Sequence, residues 1–178
     1  VISGDPKMPR ERKARLIRAF ARAIEPLADY IPGPDMGTDE TCMAWIKDEI
    51  GRAVGLPREI GGIPLDEVGA TGFGLAASID VAKDFCGITL KGARVAVQGF
   101  GAVGKHAARF LSEKGAVLVA AADAKGTIVD PAGLDVKRLI EHKDRGKSVV
   151  DFPSGKALDA EAIVDVECEI WIPAARPD

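Results

Sequence analysis

Gly99, Gly101 and Gly104 stand in G-x-G-x-x-G spacing directly after an apolar run at 95–98, and Asp123 closes the next apolar stretch. A carboxylate about twenty residues beyond such glycines can accept hydrogen bonds from an adenosine ribose. Gly99 can turn sharply, Gly101 can admit a pyrophosphate against the backbone, and Gly104 can pack a helix closely on a sheet. The phosphates would face helix N–H groups and the positive end of the macrodipole. The chemistry implied is dinucleotide binding. The same spelling also occurs in α/β turns that hold no ligand, so its surroundings decide its value.

Those surroundings agree. Residues 93–98 are short and apolar, 105–114 carry Ala108, Phe110 and Leu111 for an inner helix face, Gly115 stops that helix, and 117–122 read as a second strand. A helix over 72–85 with Gly87 as its stop precedes the first strand. After Asp123, an extended excursion at 126–129, a helix at 134–143, a brief helix at 160–164 and a strand at 169–172 follow. Alternating strands and helices predict an α/β fold, a Rossmann-type parallel sheet with helices on both faces and ligand chemistry at the carboxyl ends of the strands.

The part before Leu90 reads differently. Pro9 and Glu11 open an amphipathic helix whose inner face is Leu16, Ile17, Phe20, Ile24 and Leu27, with a basic opposite face. A Pro/Gly-rich segment at 31–37 holds Asp35, and Thr38 is the expected N-cap of a helix carrying Met43, Trp45, Ile46 and Ile50. Residues 52–69 read as a long connection. The expected division is a mainly helical part at 1–89 and a dinucleotide-binding part at 90–178.

A carboxylate such as Asp35, in a Gly/Pro-held loop ahead of a helix, suits proton transfer and equally suits plain capping. The hydroxyl of Thr71 can donate and accept, or can simply cap a helix. Cys42, Cys86 and Cys168 lack C-x-x-C spacing, which predicts free, largely buried thiols in a reducing compartment. His106 and His142 have no partner at zinc spacing and read as surface or packing residues, so no metal site is expected. An apolar content of 47% describes a globular chain able to bury a core, and a formal charge of −3 without an aromatic-interleaved basic run points to neither nucleic acid nor membrane. A cytoplasmic location is the default expectation.

The blocks "GDPKMP" at 4–9, "IPGPDMGT" at 31–38, "MAWIKDE" at 43–49, "GATGFG" at 69–74, "VAVQGFGAVG" at 95–104, "ADAKGTIVDPAGLD" at 122–135 and "IWIPAA" at 170–175 resemble the glutamate/leucine/phenylalanine/valine dehydrogenase family, most closely its glutamate branch. The resemblance covers nearly the whole chain. It implies oxidation of an L-amino acid to a 2-oxo acid and ammonium, with hydride transfer to NAD or NADP. The 1–89 part then corresponds to the C-terminal portion of the catalytic domain. Asp35 matches the aspartate that relays protons, Thr71 the threonine at the nicotinamide carboxamide, and Ala174 with Ala175 the loop beside the nicotinamide ribose. Phe100, Ala102, Val103, Ala124 and Lys125 fall with the glycines and Asp123 in the cofactor-binding segments.

Three departures stand out. Ala102 replaces a usual Asn, Phe73 occupies a place often held by Arg or Tyr, and the family's substrate and catalytic lysines belong upstream of "GDPK", so that Lys7 is not one of them. The chain thus reads as an internal piece that binds cofactor but does not turn over substrate alone. The family also implies a homo-oligomer, often a hexamer. The alternatives are a non-catalytic dinucleotide-binding module and a branched-chain or aromatic amino acid dehydrogenase. Asp123 would disfavour a 2′-phosphate and Lys125 would offset it, leaving NAD and NADP both open.

Overall fold

The computed structural model describes residues 2–5 and 8–176, and Lys7 lies outside them. Two compact units divide after Val68, Val1–Val68 and Gly69–Asp178. The sequence reading places the join near Leu90. The helix before that point packs instead within the second unit, because its small residues lie against a sheet-covering helix.

In the first unit, α1 (Arg10–Ile24) and α2 (Glu40–Ile50) bury Ile17, Ala21, Cys42, Met43 and Ile46 between them. Leu27, expected on the inner face, is exposed because α1 ends before it. The basic face of α1 is partly used: Arg18 pairs with Asp48 and Glu49, each at 3.0 Å, and Arg22 with Glu49 at 2.6 Å. Arg52 closes the end of α1 by donating to the carbonyls of Ile24, Glu25, Leu27 and Tyr30 at 2.9–3.1 Å. Such carbonyls have no partner inside the helix. The N-cap of α2 is Asp39, which accepts from the Cys42 N–H at 2.9 Å, rather than Thr38. Thr38 turns back instead. Its hydroxyl donates to the Asp35 carbonyl and accepts from the Asp35 N–H, both at 2.9 Å. The connection at 52–69 contains a 3₁₀ turn (Arg58–Ile60) and α3 (Leu65–Val68).

The second unit begins with α4 (Ala70–Cys86) and continues with β1 (Arg94–Gln98), α5 (Ala102–Glu113), β2 (Val117–Asp123), β3 (Gly126–Val129), α6 (Val136–Asp144), β4 (Lys156–Leu158) and β5 (Ile170–Pro173). The five strands lie in the order β4-β3-β2-β1-β5. β1 pairs in parallel with β2 and β5, but β2–β3 and β3–β4 are antiparallel, which corrects the expected all-parallel sheet. The reason is chain length. Only Ala124 and Lys125 separate β2 from β3, enough for a hairpin and far too little for a crossover.

Helices α4, α5 and α6 share one core with a single face of the sheet, built on Val95, Val97, Leu111, Leu118, Ile128 and Leu139. On the other face, Ile163 from a 3₁₀ segment (Ala160–Asp165) covers Ala96, Ala120 and Ala122. The expected α-helical cover on both faces is therefore not what the described residues form. The register of β2 is irregular: Val95 pairs with Leu118 but Ala96 with Ala120, leaving Val119 as an extra residue that shifts the alternation, so that Leu118 and Ala121 join the helix-covered face while Ala120 and Ala122 join the other.

Candidate dinucleotide site

The carboxyl ends of β2, β1 and β5 converge, and most of the candidate residues converge with them. The Ala122 carbonyl at the end of β2 accepts from the N–H groups of Gly99 and Phe100 at 3.0 and 2.8 Å, and the Ala174 N–H beyond β5 donates to the Gln98 carbonyl at 2.7 Å. Gly99 has φ +91°, and a Cβ there would fall 2.5 Å from the Ala175 nitrogen. A side chain at Gly104 would fall 2.0 Å from the Gly99 carbonyl oxygen and 2.8 Å from Val97. These two glycines serve the fold.

Gly101 is different. Among the described residues nothing lies within 4 Å of where its Cβ would be. It is the N-cap of α5, with no side-chain hydrogen bond to the helix end and no acidic residue in the first turn. Gly101 and Ala102 are exposed, Val103 half-buried. An open backbone cradle at an uncapped helix N-terminus, with no acidic residue in the helix's own first turn, fits a diphosphate. Phe100 contributes less directly: the residue is buried in the core, 1% exposed, and its N–H is already used.

Thr71 lies in the first turn of α4, exposed, with Gly69 rather than Thr71 as the N-cap. Gly72 sets its position by letting α4 approach α5 so closely that a Cβ would fall 2.6 Å from the Ala107 nitrogen. His106 is buried there, packed against Gly69 and Gly72. Ala174 is half-buried and Ala175 exposed beside the glycine turn, while Ala124 and Lys125 are exposed at the β2–β3 turn. Asp35 belongs to the first unit. It is exposed, and its Oδ1 accepts from the Met36 N–H at 2.7 Å.

Asp123 is enclosed by its own chain. Its Oδ1 accepts from the Ser148 hydroxyl at 2.8 Å and the Lys125 N–H at 3.0 Å; its Oδ2 accepts from Lys143 Nζ at 2.6 Å, the Val149 N–H at 2.9 Å and the Ser148 hydroxyl at 3.0 Å. Burial alone would raise this carboxyl, but the Lys143 ammonium and the N–H and hydroxyl donors outweigh burial and hold it at about 2. Lys143 and Ser148 are absent from the sequence reading of the site. A local signal exists in Ser148-x-x-Asp151, which forms a capping box around the 3₁₀ turn Val149–Asp151, but it does not say what else Ser148 binds. His142 joins the same corner, with Nε2 2.9 Å from the Ser148 carbonyl and its ring edge-on to Phe152.

The thiols diverge from expectation at one position. Cys42 is buried and pushed up by that burial, Cys168 is partly buried, and Cys86 is exposed at the end of α4. Among the described residues no cluster of His, Cys, Asp or Glu could hold a metal, and no helix is long and apolar enough to cross a membrane.

Known proteins resemble this chain in sequence and in fold. The model of the Glutamate/Leucine/Phenylalanine/Valine dehydrogenase family matches residues 61–178. Glutamate dehydrogenases of Thermotoga maritima and Aeropyrum pernix are 38% and 36% identical over 96% of the chain, which spans 44% of their length. The hetero-hexameric glutamate dehydrogenase of Thermus thermophilus, solved with leucine bound, superposes with a TM-score of 0.79 at 29% identity, over 97% of this chain and 43% of that one. With two thirds of its length inside the family model and its glycine turn, helix end and flanking loops arranged as described, the chain belongs to the glutamate/leucine/phenylalanine/valine dehydrogenase family.

Proposed function

We propose that this chain supplies the dinucleotide-binding part, and a portion of the catalytic part, of an NAD(P)-dependent L-amino acid dehydrogenase, with glutamate as the preferred substrate. One observation carries the reading: the open Gly101 cradle at the uncapped start of α5, in a chain of this family. The N–H groups of Ala102, Val103 and Gly104 would bind the diphosphate. A nicotinamide dinucleotide bound there supplies the acceptor for a hydride from the amino acid Cα, and water then converts the imine to a 2-oxo acid and ammonium.

The chain's own residues take the remaining tasks. Thr71 orients the carboxamide through its hydroxyl, and the small side chains of Ala174 and Ala175 let backbone approach the nicotinamide ribose. With Ala102 lacking a side-chain amide, Thr71 carries more of that orientation. Asp35 moves protons to and from the amine, a role that rests on its match to the family aspartate. Both NAD and NADP are candidates, since Lys125 offers an exposed cation at the β2–β3 turn. Assembly into a homo-oligomer follows the same family reasoning.

The test has two stages. Titrating the chain with NADH and NADPH, followed by nucleotide fluorescence, should show saturable binding that Gly101→Ala weakens. Steady-state assays on a polypeptide of the relatives' full length should then show oxidation of glutamate in preference to leucine, valine and phenylalanine, with Asp35→Asn lowering kcat at least a hundredfold. Dinucleotide binding without turnover of any of the four would favour a non-catalytic binding module.

A further inference from the structure

We propose that Asp123 is a positioning residue, tying the β2–β3 turn to the 148–151 segment, and that choice between a ribose 2′-hydroxyl and a 2′-phosphate is not exerted through its carboxylate. The inference rests on the dinucleotide reading given above. A carboxylate offers about four lone-pair sites. Four donors from the chain already occupy this one: the Lys125 N–H, the Ser148 hydroxyl, the Lys143 ammonium and the Val149 N–H, all within 3.0 Å. The side chain is only 13% exposed.

A ribose hydroxyl could reach Asp123 only by displacing one of these donors. Displacing Ser148 or Val149, both buried, would leave a hydroxyl or an N–H unpaired, which costs more than an ordinary hydrogen bond returns, and displacing Lys143 would break an ion pair at 2.6 Å. The charge is also balanced locally. Lys143, at 2.6 Å, neutralises most of the repulsion that a bare carboxylate would direct at a phosphate. Lys143 lies in the last turn of α6, where the helix dipole favours a cation as well.

What the carboxylate does hold is geometry. Through the Lys125 N–H it fixes the β2–β3 turn, whose preceding carbonyl, Ala122, anchors the glycine turn through Gly99 and Phe100. Through Ser148, Val149 and Lys143 it fixes the chain leaving α6. Loosening this clasp should therefore weaken both dinucleotides together, even when the changed residue makes no contact with either.

The experiment compares Kd for NADH and NADPH in the unaltered chain and in Asp123→Asn, Ser148→Ala, Lys143→Met and Lys143→Arg, with Tm measured for each. We expect Asp123→Asn, Ser148→Ala and Lys143→Met to weaken both dinucleotides three- to tenfold while the ratio of the two Kd values changes less than threefold. Lys143→Arg should restore both affinities. If Asp123→Asn does not fold, the Ser148 and Lys143 variants carry the same comparison. A tenfold or greater shift of the ratio toward NADPH in Asp123→Asn, with both affinities unchanged in Ser148→Ala and Lys143→Met, would overturn the proposal. Failure of the unaltered chain to bind either dinucleotide would instead overturn the reading of the site itself, and this inference with it.

Discussion

Two neighbouring turns end β1 and β2, and they achieve order by opposite means. The turn after β1 depends on missing side chains: Gly99 and Gly104 permit backbone contacts that a Cβ would block, and the space around Gly101 is open among the described residues. The turn after β2 depends on side-chain contacts, with one carboxylate gathering donors from Lys125, Lys143, Ser148 and Val149. The glycines of the first turn are spelled in one short stretch, although Gly99 makes room for the backbone of Ala174 and Ala175 beyond β5. In the second turn only the Lys125 N–H is local, and the other donors come from residues twenty to twenty-six positions further along.

The sharpest way to break this contrast is Gly104→Ala. Its added carbon would meet the Gly99 carbonyl and Val97, neither of which can move without disturbing β1, so a loss of about 3 kcal/mol or more is expected by thermal or urea unfolding. A well-folded, equally stable variant would show that the turn tolerates side chains and that its order has another source.

Acid provides the next test. Because the folded Asp123 carboxyl sits at about 2, below its ordinary 3.8, it stabilises the fold above about pH 4 and that contribution disappears as pH falls toward 2. Linkage makes the loss about 2 kcal/mol. Urea melts between pH 6 and 2 should show this step in the original chain and a shallower one in Asp123→Asn.

A smaller effect is expected from Gly101→Ala, the complement of Gly104→Ala. Open space around that position predicts stability within about 0.5 kcal/mol of the parent, while dinucleotide affinity falls about tenfold, or 1.4 kcal/mol. Equal losses at Gly101 and Gly104 would erase the distinction between a glycine kept for the fold and one kept for the ligand. Smallest is Ser148→Ala, which removes one buried hydroxyl from the clasp and should cost about 1 kcal/mol by urea melts, with Lys143 still paired.

Features that follow from short-range backbone chemistry can be read from residue types and spacing alone. The glycine spacing, the strand–turn–helix around it, the stops at Gly87 and Gly115 and the helices near 10–24, 40–50 and 70–86 are all legible, because sterics and apolar periodicity act within a few residues. Asp123 and Lys125 were visible as neighbours of that motif, but their surroundings were not. Which way β3 runs, why α4 belongs with the sheet, that Asp39 rather than Thr38 caps α2, and that the Asp123 carboxylate is already filled were decided only in the tertiary structure. The physical reason is that a donor's choice among acceptors, and a helix's choice among apolar faces, is a competition between groups distant in sequence. Propensity ranks the competitors one at a time, whereas packing admits only the combination that satisfies them together.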